Sequence, residues 1–392
     1  KEVKENTIIN GEDNPNHILI EGDNLHALTA LTFTHEGKID VIYIDPPYNT
    51  GNKDFKYNDT FVDKEDGYRH SKWLSFMDKR LRIAKRLLSE TGGVFISIDD
   101  NEVDNLRKIC DEIYGGDNFI AHIIHKNNSM KNQSKYIGVS SEFVLIYSKD
   151  MDSLKKYQET WRANKKGAAE IDAMFKKLKS KGLLLEEIRE EILEMYSRPK
   201  YAHLSRWNKV DNDGVFMDSD LSRENGTKNY TIINPLTNTE CLIPNRGWGK
   251  SYEELIRLQN ENLIWYGDGV TPPRMKSYIC EDSVSVFDNY IFADTSNDKK
   301  MIDRMFGSKV FEFPKSLEMI TQLVQLCSFE ESIILDFFSG SATTAHAVMQ
   351  LNAEDGGDRK FIMVQIPEET DEKSEAYRAG YNNICEIGKE RI

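Results

Sequence analysis

The stretch IDVIYIDPPYNTG, residues 39–51, decides how the chain folds. Its first half is a nearly unbroken apolar, β-branched run, the composition of a strand buried on both faces of a parallel sheet. The run stops at Asp45-Pro46-Pro47-Tyr48. Each proline fixes φ and removes an N–H donor, so the chain leaves the sheet abruptly there. Asp45 precedes a proline and is pushed to extended geometry. Its carboxylate and the Pro46 carbonyl then project into the crevice at the strand's carboxyl end, where open α/β sheets bind ligands. Two adjacent acceptors suit an exocyclic amino group, which has two N–H donors, and Tyr48 offers a planar base an aromatic face. A Pro-rich turn with a helix-capping aspartate would look the same over four residues, so the neighbours have to decide.

Outward from that turn, strand and helix patterns alternate. Leu74, Met77, Leu81, Ala84 and Leu88 recur at helical spacing. GVFISID (93–99) reads as the next strand, and residues 101–115 as a helix closed by Gly115. FIAHIIH (119–125) and FVLIYSK (143–149) complete a strand-rich end. From 313 onward the alternation returns, with a helix near 316–327, strand SIILDFF, helix ATTAHAVMQL, strand KFIMVQI and a closing helix. This is the βαβ signature of a doubly wound, mostly parallel, Rossmann-like sheet of the α/β class. Between the halves the pattern breaks into a Lys-rich helical stretch (155–196) and turn-rich segments such as YGDGVTPPR. The expected organisation is a catalytic half over 1–149, an inserted domain over 150–242, and, over 243–392, the remainder of the insertion boundary followed by the cofactor-binding half of the sheet.

The chain has 392 residues, 39% of them hydrophobic, which supports a sizeable core and excludes global disorder. Lys and Arg number 51 against 65 Asp and Glu, a net charge of −14, so any nucleic-acid contact needs basic residues gathered locally. Three local islands exist. Residues 126–135 hold three lysines and no acid, 149–181 hold ten Lys and Arg against five acids, and 198–209 hold four with Tyr201 and Trp207 interleaved. Five scattered cysteines with no Cys-x-x-Cys, and no His-Glu-x-x-His, argue against a metal centre and for reduced thiols in the cytoplasm. No apolar run reaches the ~18–20 residues of a membrane span. The start KEVKENTIIN has no apolar signal core and no Met, so the chain reads as trimmed.

A second motif stands at DFFSGSATTAHA, residues 336–347. A strand runs into a turn of small residues and then a helix, which lets backbone approach a nucleotide-like ligand beside a helix N-terminus. It is neither G-x-G-x-x-G nor a P-loop, and His346 on its helix reads as a packing residue. Together the two motifs, in this order and with an insertion between, resemble the β group of amino-methyltransferases of DNA. EGDNLHAL (21–28), YIDPPYNTG (43–51), ISIDDNE (96–102), FEFPKSLEMI (311–320), DFFSGSATTAHAVM (336–349) and EIGKERI (386–392) tighten the resemblance to modification (Mod) subunits of type III restriction–modification systems.

The resemblance implies a methyltransferase sheet with an inserted target-recognition domain, S-adenosyl-L-methionine as cofactor, and adenine N6 of a flipped-out base as target. Asp45, Pro46, Pro47 and Tyr48 match the catalytic turn. Asp336, Phe338, Ser339, Gly340, Ser341 and Thr343 match the cofactor turn, with Asp45 facing it. Lys315 and Ser316 match the motif that meets the methionine end, and Asp23, Asn24 and Leu25 a segment near the adenosine. Two departures stand out. Ala342 replaces a frequent glycine, which asks that this position avoid positive φ. KFIMVQI ends in Gln365 where an acid usually holds the ribose, so Gln365 or Glu368 takes that role. The expected partners are double-stranded DNA, a second copy of the chain in a homodimer, and a restriction (helicase/nuclease) subunit. Lys126, Lys131, Lys176, Lys177, Lys179, Arg206, Trp207 and Lys209 are the expected DNA contacts, with the Lys176–Lys179 group on phosphates. Family members continue past the last motif, again reading as a trimmed chain. Cytosine C5 chemistry is excluded, since it needs Pro-Cys and no cysteine here follows a proline. The alternatives are a stand-alone adenine or cytosine-N4 enzyme, an idle specificity subunit, and a methylase of RNA or protein glutamine, for which Asn-Pro-Pro-Tyr is more typical.

Overall fold

The structure, a computed structural model, describes residues 16–51, 54–57, 60–126, 136–157, 161–293, 295–311 and 314–392. It divides into two units, one of residues 1–163 with 286–392, the other of residues 164–285. The second unit runs from 164 to 285, so it includes segments beyond 242 that the sequence left on the insertion boundary. The turn-rich segments after 242 belong to it because they supply strands to its own sheet, as follows.

In chain order the first unit opens with β1 (Ile18–Glu21), α1 (Asn24–His35), β2 (Ile39–Ile44), α2 (Arg69–Leu87), β3 (Leu88–Ile98) and α3 (Val103–Tyr114). β4 (Phe119–Lys126), β5 (Ser141–Ser148) and α4 (Met151–Tyr157) follow. The second unit begins with α5 (Ala168–Ser180) and α6 (Leu185–Tyr196), so the expected Lys-rich helical run is several separate helices. Gly182, at φ +79°, sits in the break between these two. β6 (Lys209–Val210), β7 (Val215–Ser219), α7 (Tyr252–Asn260), β8 (Ile264–Trp265) and β9 (Arg274–Ile279) come next. These strands form an antiparallel sheet in the order β8-β9-β7-β6. The chain then returns to the first unit through β10 (Tyr290–Phe292), α8 (Thr295–Phe306), α9 (Leu317–Cys327), β11 (Ile333–Asp336), α10 (Thr343–Asp355), β12 (Lys360–Gln365) and α11 (Ile384–Arg391).

The first unit is built on an eight-stranded sheet in the order β1-β12-β11-β2-β3-β5-β4-β10. Every pairing is parallel except those of β5, which runs against both neighbours. From β2 the chain proceeds to β3 on one side, whereas from β11 it proceeds to β12 on the other. The strand order thus reverses between β2 and β11, and a crevice opens outside their carboxyl ends. Apart from Asp40, which accepts the Ser89 hydroxyl and the Ile333 N–H, β2 is apolar because both faces are covered: Ile42 and Ile44 pack with α1, α2 and α3, and Val41 and Tyr43 with α9 and α10. Among the described residues no helix is long and apolar enough to cross a membrane.

Candidate active site

Asp45 is the first residue beyond β2 and Asp336 the last of β11, so the two motifs meet across the switch point. The prolines end the strand, and two buried anchors then hold the turn. Trp73 of α2, fully buried, donates its Nε1–H to the Pro47 carbonyl at 2.7 Å. Asn49, buried at φ +58°, donates to the buried carboxylate of Glu102, which also receives His70 at 2.7 Å and Asn105 at 2.8 Å.

Lys315, two residues before α9, reaches the turn that follows β2. Its ammonium donates to Glu142 Oε2 at 2.6 Å and to the Tyr48 hydroxyl, and lies 4.6 Å from the Tyr48 ring centre. Asp45 Oδ1 is 3.3 Å away, within ion-pair range but outside hydrogen-bond alignment, so this shielded oxygen has no hydrogen-bond partner. Burial raises the Asp45 pKa and the Lys315 charge opposes it. For Lys315 burial works downward, but the Asp45 and Glu142 carboxylates outweigh it and hold the ammonium above its ordinary value. Burial likewise works against the Glu142 anion, yet Lys315 holds its carboxyl below the usual range. The result is a crevice floor with one cation, two carboxylates and one unfilled acceptor.

The turn after β11 is ordered from within. Asp336 accepts the Phe338 N–H at 3.0 Å and the Thr344 hydroxyl at 2.6 Å, and burial raises its carboxyl to about 7. Gly340 adopts φ +52°, and a Cβ there would make only ordinary contacts, with the Phe311 ring at 3.8 Å and the Phe338 carbonyl at 4.0 Å, so it is the positive φ and not crowding that favours glycine. Ala342, expected to avoid positive φ, instead sits at φ +58° as the N-cap of α10. Bonds from Ala342 N–H to the Ser339 carbonyl and from His346 N–H to the Ala342 carbonyl keep it there. The Gln365 carboxamide accepts the Gly340 N–H at 2.7 Å and donates to the Ile366 carbonyl, so it helps to organise the turn. Ser341 and Thr343 are buried, and their hydroxyls receive Arg391 of α11 at 3.0 and 2.8 Å. They face the fold and not the crevice.

Asp23 caps α1 by accepting the Leu25 and His26 N–H groups. Asn24 donates to the Phe337 carbonyl at 2.9 Å, which ties this segment to the cofactor turn. Buried Arg80 of α2 joins them, reaching Asn24 at 2.6 Å and Asp23 at 3.4 Å. Ser316 is a buried N-cap of α9, accepting the Met319 N–H. The structure thus gathers Asp23, Asn24, Asp45, Tyr48, Lys315, Asp336 and Gly340 around one crevice. Arg80, Glu102, Glu142 and Arg391 belong to its walls and were not singled out from the sequence. Arg80 had a visible signal, being a charge on the apolar face shared by Met77, Leu81 and Ala84.

The expected DNA contacts fare unevenly. Lys131 lies outside the described residues. Lys126 donates to Ser140. In the second unit Arg206 is exposed, but Trp207 is 9% exposed and packs in the core with Ile171, Ile188 and Tyr196. Trp207 follows a short 3-10 turn that points it inward, where Lys165 covers its ring at 4.5 Å. Lys209 is tied to Asp218, Lys176 to Asp172 at 2.9 Å, and Lys179 to the Asn212 carbonyl, while Lys177 is exposed.

A sequence profile of the DNA methylase family, N6/N4 type, matches residues 39–376, from the first residue of β2 to beyond β12. The chain belongs to this family. It is 31% identical to the type III restriction–modification enzyme EcoP15I Mod subunit of Escherichia coli, over 97% of this chain and 63% of that one. It is 32% identical to the StyLTI Mod subunit of Salmonella typhimurium, over 100% of this chain and 58% of that one. To the type II methyltransferase M.KpnI of Klebsiella pneumoniae it is 31% identical, over 95% and 85% respectively. The chain therefore spans about three fifths of the length of the two Mod relatives.

Proposed function

We propose that this family member methylates adenine N6 in double-stranded DNA, using S-adenosyl-L-methionine, as the modification subunit of a type III restriction–modification system. The observation that carries the reading is Asp45 Oδ1: a shielded carboxylate oxygen with an unfilled hydrogen-bond position, on the floor of a crevice beside a lysine and a tyrosine. Shielded acceptors are normally satisfied, and an amino N–H is the donor this one lacks. The names of the Mod relatives support the system, and the family's description, DNA methylase, supports the substrate.

The residues fit the cofactor at the turn after β11, where Gly340 carries no side chain and even an added Cβ would make only ordinary contacts at 3.8–4.0 Å. When bound, S-adenosyl-L-methionine supplies an electrophilic methyl group on a sulfonium. Asp23, Asn24, Gly340 and Lys315 are the residues that would hold it. Asp45 and the Pro46 carbonyl accept the two amino N–H bonds and turn the nitrogen lone pair, otherwise conjugated into the ring, toward that methyl group. Tyr48 stacks on the base, which must leave the duplex to reach the crevice floor. Asp45, raised by burial, is also the nearest carboxylate to take the proton that the methylated nitrogen sheds. Positioning and preorganised charge supply the rate. Aspartate at this turn favours adenine over cytosine N4, whose family members more often carry serine there.

The inserted unit is the sequence reader. Residues 164–285 carry 18 Lys and Arg against 19 Asp and Glu, a net −1, where the whole chain is −14. The remaining partners we assign are a second copy of the chain and a restriction subunit. The deciding experiment methylates unmodified DNA with the purified protein, digests it to nucleosides and weighs them. N6-methyladenine is expected. An N4-methylcytosine product moves the target base, and an absence of methylated nucleosides refutes the activity.

A further inference from the structure

Lys315 has one ammonium and three oxygens around it. It lies 2.6 Å from Glu142 Oε2, at full contact with the Tyr48 hydroxyl, and 3.3 Å from Asp45 Oδ1. A charge-assisted N–H···O bond closes to about 2.7–2.9 Å, so the cation is drawn onto Glu142 and stands off Asp45. With the lysine side chain only 15% exposed, its charge cannot turn to bulk water and must be met by a carboxylate. Glu142 is the second residue of β5, on the same side as Val144 and Ile146, which are buried in an apolar cluster. An acid heading an apolar row is not there for packing. The Tyr48 hydroxyl also donates to it, at 3.1 Å.

We propose that Glu142 is the counter-ion that holds the Lys315 ammonium off Asp45, and so keeps the Asp45 acceptor open for the target amino group. Glu142 is a positioning residue: it acts through Lys315 and touches no reacting atom. The inference rests on the reading of Asp45 as amino-group acceptor. Removing the Glu142 charge leaves Asp45 as the carboxylate nearest a buried ammonium, and the pair closes over the open oxygen. The charged and titratable groups around this cluster are Tyr43 on β2, Tyr48 in the turn, Asp99 just beyond β3, His125 on β4 opposite Glu142, Asp336 at the end of β11, and Lys315 itself. Of these only Lys315 is a cation already 3.3 Å from Asp45. Loss of Glu142 removes a repulsion that raises the Asp45 pKa and tightens an attraction that lowers it. Both act in the same direction.

The test compares the full chain with its Glu142→Gln and Glu142→Asp variants by two readouts. The first is an NMR titration of the Asp45 carboxyl carbon in protein labelled at aspartate, assigned with Asp45→Asn. The Asp45 pKa is expected to fall in Glu142→Gln and to return toward the parent in Glu142→Asp. The second is steady-state methylation of DNA at saturating cofactor. Glu142→Gln should lose roughly ten- to a hundredfold in kcat while KM for DNA stays within about twofold, with partial recovery in Glu142→Asp. An Asp45 titration that does not move in Glu142→Gln overturns the proposal, as does a kcat that does not fall. Should the parent protein methylate no DNA, the functional reading fails, while the titration still decides the role of Glu142.

Discussion

At the scale of single residues, two carboxylates at neighbouring strand ends do different work. On the proposed function Asp45 accepts the reacting amino group, and Asp45→Ala should lower methyl transfer by ~10²–10³ while leaving affinity for the cofactor product within about tenfold. Single-turnover rates and calorimetry measure the two quantities, and near-normal turnover would remove Asp45 from the chemistry. Asp336 is structural, binding its own turn through Phe338 and Thr344, with its pKa raised to about 7 by burial. A carboxyl raised on folding binds its proton more tightly in the folded state than in the unfolded one. Its contribution to stability is therefore fully present below the unfolded pKa of about 3.9 and is lost as pH rises through the folded value. The melting temperature of the protein should fall between pH 5 and 8 more steeply than that of Asp336→Asn. Parallel slopes would show that Asp336 stays ionised throughout that window.

At the scale of elements, the cofactor turn depends on a helix that is remote in sequence. Arg391, near the end of α11, donates to the Ser341 carbonyl, the Ser341 hydroxyl and the Thr343 hydroxyl, and is itself buried. Arg391→Met should leave these acceptors unsatisfied, destabilise the protein by ~1–3 kcal/mol, and weaken binding of the cofactor product because the turn loosens. Denaturant titration and calorimetry together check it; unchanged values in both would mean that α11 only covers the surface. The motif EIGKERI was visible in the sequence, but the partner of its arginine was not, because nothing in 386–392 names a turn 45 to 50 residues earlier. The catalytic turn was legible because two prolines after a buried strand permit few conformations. Ala342 misled because αL geometry, which costs about 1–2 kcal/mol outside glycine, is held there by backbone bonds that only the folded turn reveals. Trp207 misled for a related reason: aromatic residues among lysines look exposed until the helices that cover them are placed.

At the scale of the whole molecule, the sheet was legible and the extent of the insertion was not. Short two- to six-residue strands such as β8 and β9, rich in turn residues at their ends, carry little periodicity, so the sequence left the far boundary of the insertion open beyond 242. The division at 164 and 285 gives a sharper expectation. Transplanting residues 164–285 from a relative of different specificity should carry the methylated sequence with it, read by single-molecule sequencing of DNA from a methylation-free host. A chimera that keeps its original pattern would put recognition in the larger unit. The same insertion governs when the crevice can exist at all. β2 and β11 lie side by side in the sheet, yet 288 residues separate Ile44 from Ile333 along the chain. A ribosome adding roughly 5–20 residues per second leaves the β2 edge without its neighbour for about 15–60 s. The early half can close on the other side of β2 through β3, β5 and β4, so a nascent chain presents the edge of a six-residue, mostly apolar strand for that interval. That edge is what a chaperone would have to shield in the newborn protein.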